Sequence, residues 1–393
     1  MSPSQTNFNR ALYRDPNLQI IFIVTLVAVM GISSISPAFP EIQAAFGISQ
    51  PAVGLLIVAF TLPGVLVTPI FGVLADRYGR KSILVPSLLL FGAAGSACTL
   101  ARDFNLLLAL RLVQGLGAAS LGSLNVTIIG DLYSKRQLAT AMGYNASVLN
   151  LAVPSYLVIG GALASFAWYY PFALSVAAIP AGILVLTSLQ SSEPRNQQEF
   201  KHYLRSALRS ITDRQVLGLY AITLFTFVIL FGAYLTYFPL LLGSERFHAS
   251  PFLIGIITSS MGLTTATISS QLGKLTLRYS EKMLIKGAFI LYALTFFSIP
   301  FVQTIWLFFV PTVIFGVAHG MNLPSVQTLL ARLAPIENRA AFMSLNGMVL
   351  RLGQTLGPLV LGVMFIIDGF EGAFFVTAGI AVAIFFLASV VLK

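Results

Sequence analysis

Gly72-Val-Leu-Ala-Asp-Arg-Tyr-Gly-Arg-Lys81 is a short polar interruption between two long apolar runs, at roughly 52–75 and 82–101. Each run approaches or exceeds the ~20 residues that carry a helix across a bilayer. The interruption therefore reads as a tight turn at a membrane surface. Its chemistry fits that place: a glycine where two helices must approach, a carboxylate able to face a neighbouring helix start, and Arg77, Arg80 and Lys81 held at an anionic leaflet. A degenerate copy stands about 200 residues on, as Gly273-Lys-Leu-Thr-Leu-Arg-Tyr-Ser-Glu-Lys282, sharing Gly, Leu, Arg, Tyr and Lys in register.

The rest of the chain has the composition this turn demands. Of 393 residues, 57% are hydrophobic and 9% charged, with mean hydropathy +0.88. A water-soluble domain carries about a quarter charged residues, so the bilayer must be the solvent here. Arg10 and Arg14 precede an apolar stretch longer than the 7 to 15 residues of a signal-peptide core, and an uncleaved first span is expected. The net charge of +10 points to cytoplasmic loops rather than nucleic acid. Setting aside Arg111 and Arg351 within spans and Arg102 and Arg246 on the far side, 19 of 23 basic residues fall in segments that alternate onto one side. Cys98 is alone and has no disulfide partner.

Twelve spans are expected, at roughly 18–42, 52–75, 82–101, 104–132, 138–164 and 168–189, then 216–242, 252–276, 283–302, 304–331, 340–366 and 369–392. The fold class is thus an all-α membrane protein, with residues 1–190 and 216–393 as two six-helix bundles and 191–215 as a cytoplasmic linker. An even count places both termini in the cytoplasm of an inner (plasma) membrane protein. In the linker, Phe200, Tyr203, Leu204, Ala207, Leu208 and Ile211 recur at helical spacing, with Lys201, Arg205 and Arg209 on the opposite face. That pattern suits an amphipathic helix on the membrane lipids and equally a solvated linker helix. The halves also match at Phe39-Pro40 with Phe238-Pro239, Pro51 with Pro251, and Gly115 with Gly316. Parallel six-helix repeats about an axis normal to the membrane are a recurrent transporter design.

The Gly72–Lys81 turn resembles the signature loop of the major facilitator superfamily, Gly-x-x-x-Asp-Arg-x-Gly-Arg-Arg/Lys, and the resemblance extends over the whole chain. It implies the major facilitator fold and an inner gate drawn from Gly72, Asp76, Arg77, Gly79, Arg80 and Lys81, with Asp131 completing a trio with Asp76 and Arg80. The alternative is that these cations only set topology. Arg111-Leu-Val-Gln114-Gly115 resembles the Arg-x-x-Gln-Gly motif of the drug/proton antiporters in that superfamily. Arg111 lies about 10 Å in from a span end at 1.5 Å per residue, where a cation needs a cavity, a partner or a snorkelling path. Span five departs from those antiporters: Asn145-Ala-Ser-Val-Leu-Asn150-Leu-Ala-Val153-Pro154 has no glycine before its proline. Span eleven has Gly353, Gly357-Pro358 and Gly362, a close-packing ridge.

The same resemblance places a substrate cavity between the halves, lined by spans one, four, seven and ten with five and eleven. Its candidates are Arg351, Gln114, Asn125, Asn145, Asn150, Tyr234, Tyr237, Asn322 and Gln354, any of which could instead tie helices together. Arg351, roughly 15 Å into span eleven, calls for an anionic substrate group, a carboxylate or backbone carbonyls. Coupling candidates are Arg111, His319, which can change charge near neutral pH, and Glu41 near the outer end of span one. No other carboxylate lies deep in a span. There is no Gly-x-x-x-x-Gly-Lys-Ser/Thr loop and no His-Glu-x-x-His helix, so neither ATP, a cofactor, a metal nor an enzyme activity is indicated. The expectation is a secondary transporter, exporting small amphipathic molecules by alternating access as a proton-coupled antiporter and working as a monomer. The competing expectations are a metabolite or organic-anion carrier and a non-transporting receptor.

Overall fold

The computed structural model describes residues 12–133, 135–190, 213–333 and 339–392. The expected linker helix lies outside the described residues. Ten spans are continuous enough to name at once: α1 Pro16–Phe46, α2 Gln50–Tyr78, α3 Arg80–Leu100, α4 Phe104–Leu132, α5 Lys135–Ala164, α6 Tyr170–Ser188, α7 Arg214–Leu242, α8 Pro251–Ser270, α9 Glu281–Phe301 and α10 Ile305–Leu333. The last helical stretch, Arg339–Val391, breaks at Asp368 and at Gly369, whose φ is 59°. A left-handed glycine reverses the chain at little cost, and the break yields two passes, α11 (339–367) and α12 (370–391). Twelve passes in two six-helix bundles result, and every described regular element is helical.

The starts of these spans are encoded locally. Side chains of Asp15, Asp103, Asp213, Ser250 and Ser280 accept hydrogen bonds from backbone N–H groups of the first turns of α1, α4, α7, α8 and α9. Each such cap is worth about 0.5–2 kcal/mol and satisfies donors that a bilayer could not. α8 ends at Ser270, short of the expected 276, in the polar run Ser269-Ser270-Gln271. α7 carries a π-helical stretch over Ile229–Tyr237, closed by Thr236 Oγ1 donating to Phe231 O at 2.6 Å.

Leu66, Trp306, Ile366, Ile367 and Phe386 are each more than half exposed. Water would not tolerate so many large apolar groups spread along helices, whereas acyl chains do. The chain is an integral membrane protein. A lateral groove of about 680 Å³ between α9 and α12, lined by Ile290, Leu294, Phe297 and Phe375, belongs to this apolar surface.

Internal symmetry governs the close crossings. A Cβ on Gly115 of α4 would strike the backbone of Phe60 in α2, and one on Gly316 of α10 would come within 2.6 Å of Met261 O in α8. The two halves meet at the end opposite the Gly72–Lys81 turn. There Ser36 Oγ donates to Leu235 O at 2.6 Å, and the contact continues to mid-span, where Thr61 and Thr355 hydroxyls are 2.8 Å apart and a Cβ on Gly262 would lie 2.9 Å from Pro154. At the basic end, Gly72, Gly130, Gly143, Gly273 and Gly347 have no atom within 4 Å of where a Cβ would stand.

Candidate functional site

Three ion pairs among the described residues mark the basic end. Arg80 opens α3 and pairs with Asp76 at the close of α2, while its Nε donates to Asp131 Oδ2 at 3.1 Å across to α4. Lys81 Nζ donates to Leu186 O of α6 at 3.2 Å. The expected trio of Asp76, Arg80 and Asp131 is therefore in contact, but all of it lies within the first half. In the second half Glu281 opens α9 and pairs with Arg332 of α10 at 2.8 Å. Arg80 and Glu281 are 201 residues apart, as are Asp131 and Arg332, so the repeat conserves the pair and exchanges its charges. Helix ends explain the asymmetry: Glu281 at a helix start and Arg332 at a helix end suit the helix dipole, whereas Arg80 and Asp131 oppose it. Matching only identical residues between the halves hides this pair.

The same offset relates two buried polar clamps. In the first half Thr25 of α1 bonds Asn125 of α4 and Asn145 of α5. In the second, Asn322 of α10 donates to Thr226 of α7 at 2.7 Å, and Thr223 donates to Asn346 of α11 at 2.9 Å. Asn125, Asn145 and Asn322, candidates for a substrate cavity or for ties between helices, are tied between helices of one bundle, with Asn125 Oδ1 and Asn322 Oδ1 left without a partner among the described residues. Thr25, Thr223, Thr226 and Asn346 are missed by a reading that looks for charge and amides. Thr25 with Thr226, and Asn145 with Asn346, stand 201 apart, and that was the available signal.

Arg111 is fully buried. Its Nη1 donates to Gly31 O of α1 at 2.9 Å and to Gln114 Oε1 at 2.7 Å, its Nε donates to Leu56 O of α2 at 3.3 Å, and its guanidinium stacks 4.2 Å over the Phe60 ring. A cation within a bilayer costs ~2.5–3.5 kcal/mol on insertion scales, and hydrogen bonds from a charged group return ~1.5–3 kcal/mol each. Carbonyls and a ring face thus hold the charge without a carboxylate among the described residues. Gln114 passes the tie to Ser175 Oγ of α6 at 3.0 Å, so this expected cavity residue is instead an arm of the Arg111 brace.

His319 of α10 is buried in the second bundle, with Nδ1 2.9 Å from the Tyr292 hydroxyl of α9 and its ring stacked on Phe315. Tyr234 and Tyr237 also depart from the cavity expectation. Tyr234 is fully buried, donates to Thr258 O of α8 at 2.8 Å and stacks on Phe315. Tyr237 is buried against Phe365. Both rings are large enough to be drawn into the packing of α7, which the sequence could not orient. Glu41 stands exposed on the short helix Phe39–Phe46, at the end where the halves meet. The sequence places it near the outer end of span one, and it is exposed there. Asn150 and Gln354 are half-buried and make no hydrogen bond among the described residues.

Arg351 crosses between the halves. From α11 its Nη2 donates to Ala118 O and Ala119 O of α4, at 3.3 and 3.2 Å, and the side chain lies along Gly64 of α2, where a Cβ would come within 2.9 Å of its Cδ.

Comparison with known proteins places this arrangement. The family model described as Major Facilitator Superfamily matches residues 21–246 and 241–393. Among curated proteins, Multidrug resistance protein 1 of Bacillus subtilis is 26% identical over 375 residues, covering 94% of this chain and 95% of its own length. The Quinolone resistance protein NorA of Staphylococcus aureus is 23% identical, covering 93% of each chain. Among solved structures, a bacterial homolog of the human lysosomal transporter Spinster, in an inward-facing and unoccupied conformation, superposes with a TM-score of 0.81 at 19% identity, over 96% of this chain and 97% of that one.

Proposed function

The chain belongs to the Major Facilitator Superfamily, and on that premise we propose that it exports small amphipathic molecules by alternating access, driven by proton antiport. It is a transporter and not an enzyme. The observation that carries the export reading is the end-to-end match to relatives whose names record drug resistance. Geometry supports alternating access: the hydrogen bonds and glycine contacts between the halves run from the far end to mid-span. With the basic end read as cytoplasmic from its excess of Lys and Arg, this is the state that loads from inside.

His319 is the proton site we infer. Arg111 is sealed into its brace, with Nε and Nη1 on three acceptors and Nη2 without a partner among the described residues, and Glu41 stands in solvent at the closed end, while His319 sits beside the Tyr292 hydroxyl in the second bundle. The Asp76–Arg80–Asp131 cluster is read as the latch of the inner gate, holding α2, α3 and α4 as one body. Asn150 and Gln354 remain the half-buried amides offered to cargo.

Proteoliposomes containing a pH-sensitive dye test both parts. Amphipathic cations, zwitterions and anions are added in turn under an imposed gradient. Substrate-triggered proton movement is expected, in the direction opposite to the substrate. Substrate movement with no proton flux would remove the antiport step and leave a facilitated carrier.

A further inference from the structure

We propose that Arg351 is the docking point for an anionic group, such as a carboxylate, sulfonate or phosphate, on the transported molecule. The inference rests on the transporter reading above and adds the chemical class of its cargo.

Arg111 and Arg351 are two cations within spans, and their surroundings differ in kind. Arg111 uses two nitrogens on three acceptors, has an aromatic face beneath it and is sealed from solvent. Arg351 uses one nitrogen, Nη2, on two carbonyls. Those carbonyls are poor compensation. Both lie inside α4, where the helix ladder already draws on them, and Ala119 O also accepts the Thr68 hydroxyl at 2.8 Å. Among the described residues Arg351 has no ion-pair partner, and every described Asp and Glu lies at or beyond a span end. A guanidinium offers five donors in a planar fork suited to two-oxygen anions, and most of that fork is unused.

The site is also reachable and shaped. Arg351 is only part-buried, and Gly347, one turn nearer the basic end on α11, borders open space. Gly64 supplies the room: any side chain there would occupy the place of the guanidinium. The paired Thr61 and Thr355 hydroxyls close the site on the far side, with Thr355 also donating to Arg351 O at 3.0 Å. A bound anion would compete with Ala118 and Ala119 for Nη2. The donor is charged in both cases, but an anionic acceptor adds the attraction of a full opposite charge and can take two donors of the fork at once, so the anion wins and removes one tie between the halves.

The test uses the full chain in nanodiscs of phosphatidylcholine alone, with three matched probes: 1-naphthalenesulfonate, 1-naphthol and 1-naphthyltrimethylammonium. The sulfonate is expected to raise the melting temperature most. Arg351→Gln and Gly64→Ala should each weaken its binding about tenfold or more, and Arg351→Lys should keep part of it. Equal binding of the sulfonate by wild type and Arg351→Gln would overturn the proposal, as would a preference of the wild type for the cation. Loss of the sulfonate effect when phosphatidylglycerol is added would make a lipid headgroup the occupant and overturn the assignment to cargo. Counterflow of the same probes separates the two readings. Cation movement without sulfonate binding leaves a transporter and sinks the anion site. Sulfonate binding through Arg351 without counterflow of any probe keeps the site and sinks transport.

Discussion

A single arginine within a span can be a rivet or a hook, and its acceptors tell which. Arg111 ties α1, α2 and, through Gln114 and Ser175, α6 to its own α4. Arg111→Ala should therefore act first on stability, costing roughly 3 kcal/mol by leaving carbonyls and Gln114 unpaired, read as a lower melting temperature in detergent. Arg111→Lys should recover little, since an ammonium cannot span the same acceptors or stack on Phe60. His319 predicts the opposite split. His319→Gln, which keeps a hydrogen bond to Tyr292 within reach, should abolish substrate-driven proton movement while counterflow under equal pH on both sides persists. Undiminished proton flux in that variant would remove His319 from coupling. The sequence flagged both residues because a charge or an imidazole in an apolar run is costly. It could not separate their roles, because acceptor geometry comes from other helices.

Helices and their ends carry the second level of the argument. Glu281 and Arg332 agree with the dipoles of α9 and α10, while Arg80 and Asp131 oppose those of α3 and α4 and are held by each other and by Asp76. Arg332→Glu should impair transport by setting two carboxylates together. Adding Glu281→Arg should restore the pair and the transport, yet leave the protein about 1 kcal/mol less stable than wild type, because both charges now face the wrong helix ends. Full recovery of melting temperature in the double variant would show that the dipoles contribute nothing here. The degenerate second loop was legible in the sequence. The exchanged pair was hidden because a charge swap preserves a contact while erasing identity.

At the level of the molecule, the halves close from the far end to mid-span through α2–α11 and α5–α8. A Cβ on Gly54 would lie 3.1 Å from Cβ of Pro358, near the ~3.5–4.5 Å that a disulfide spans. Oxidising a Gly54→Cys, Pro358→Cys variant should lock the chain open at the basic end and stop counterflow, with reduction restoring it. Counterflow that survives complete crosslinking would show that this contact does not open during transport. Twelve passes, two related bundles and the basic side were written in composition, apolar run length and repeat spacing, since a bilayer leaves a chain no other way to satisfy its backbone. Tertiary structure alone decided which polar residues face the space between the halves. Tyr234, Tyr237, Gln114 and the buried asparagines turned into their own bundles, and Arg351 reached across, because helix rotation is set by packing against neighbours and leaves no trace in a uniformly apolar span.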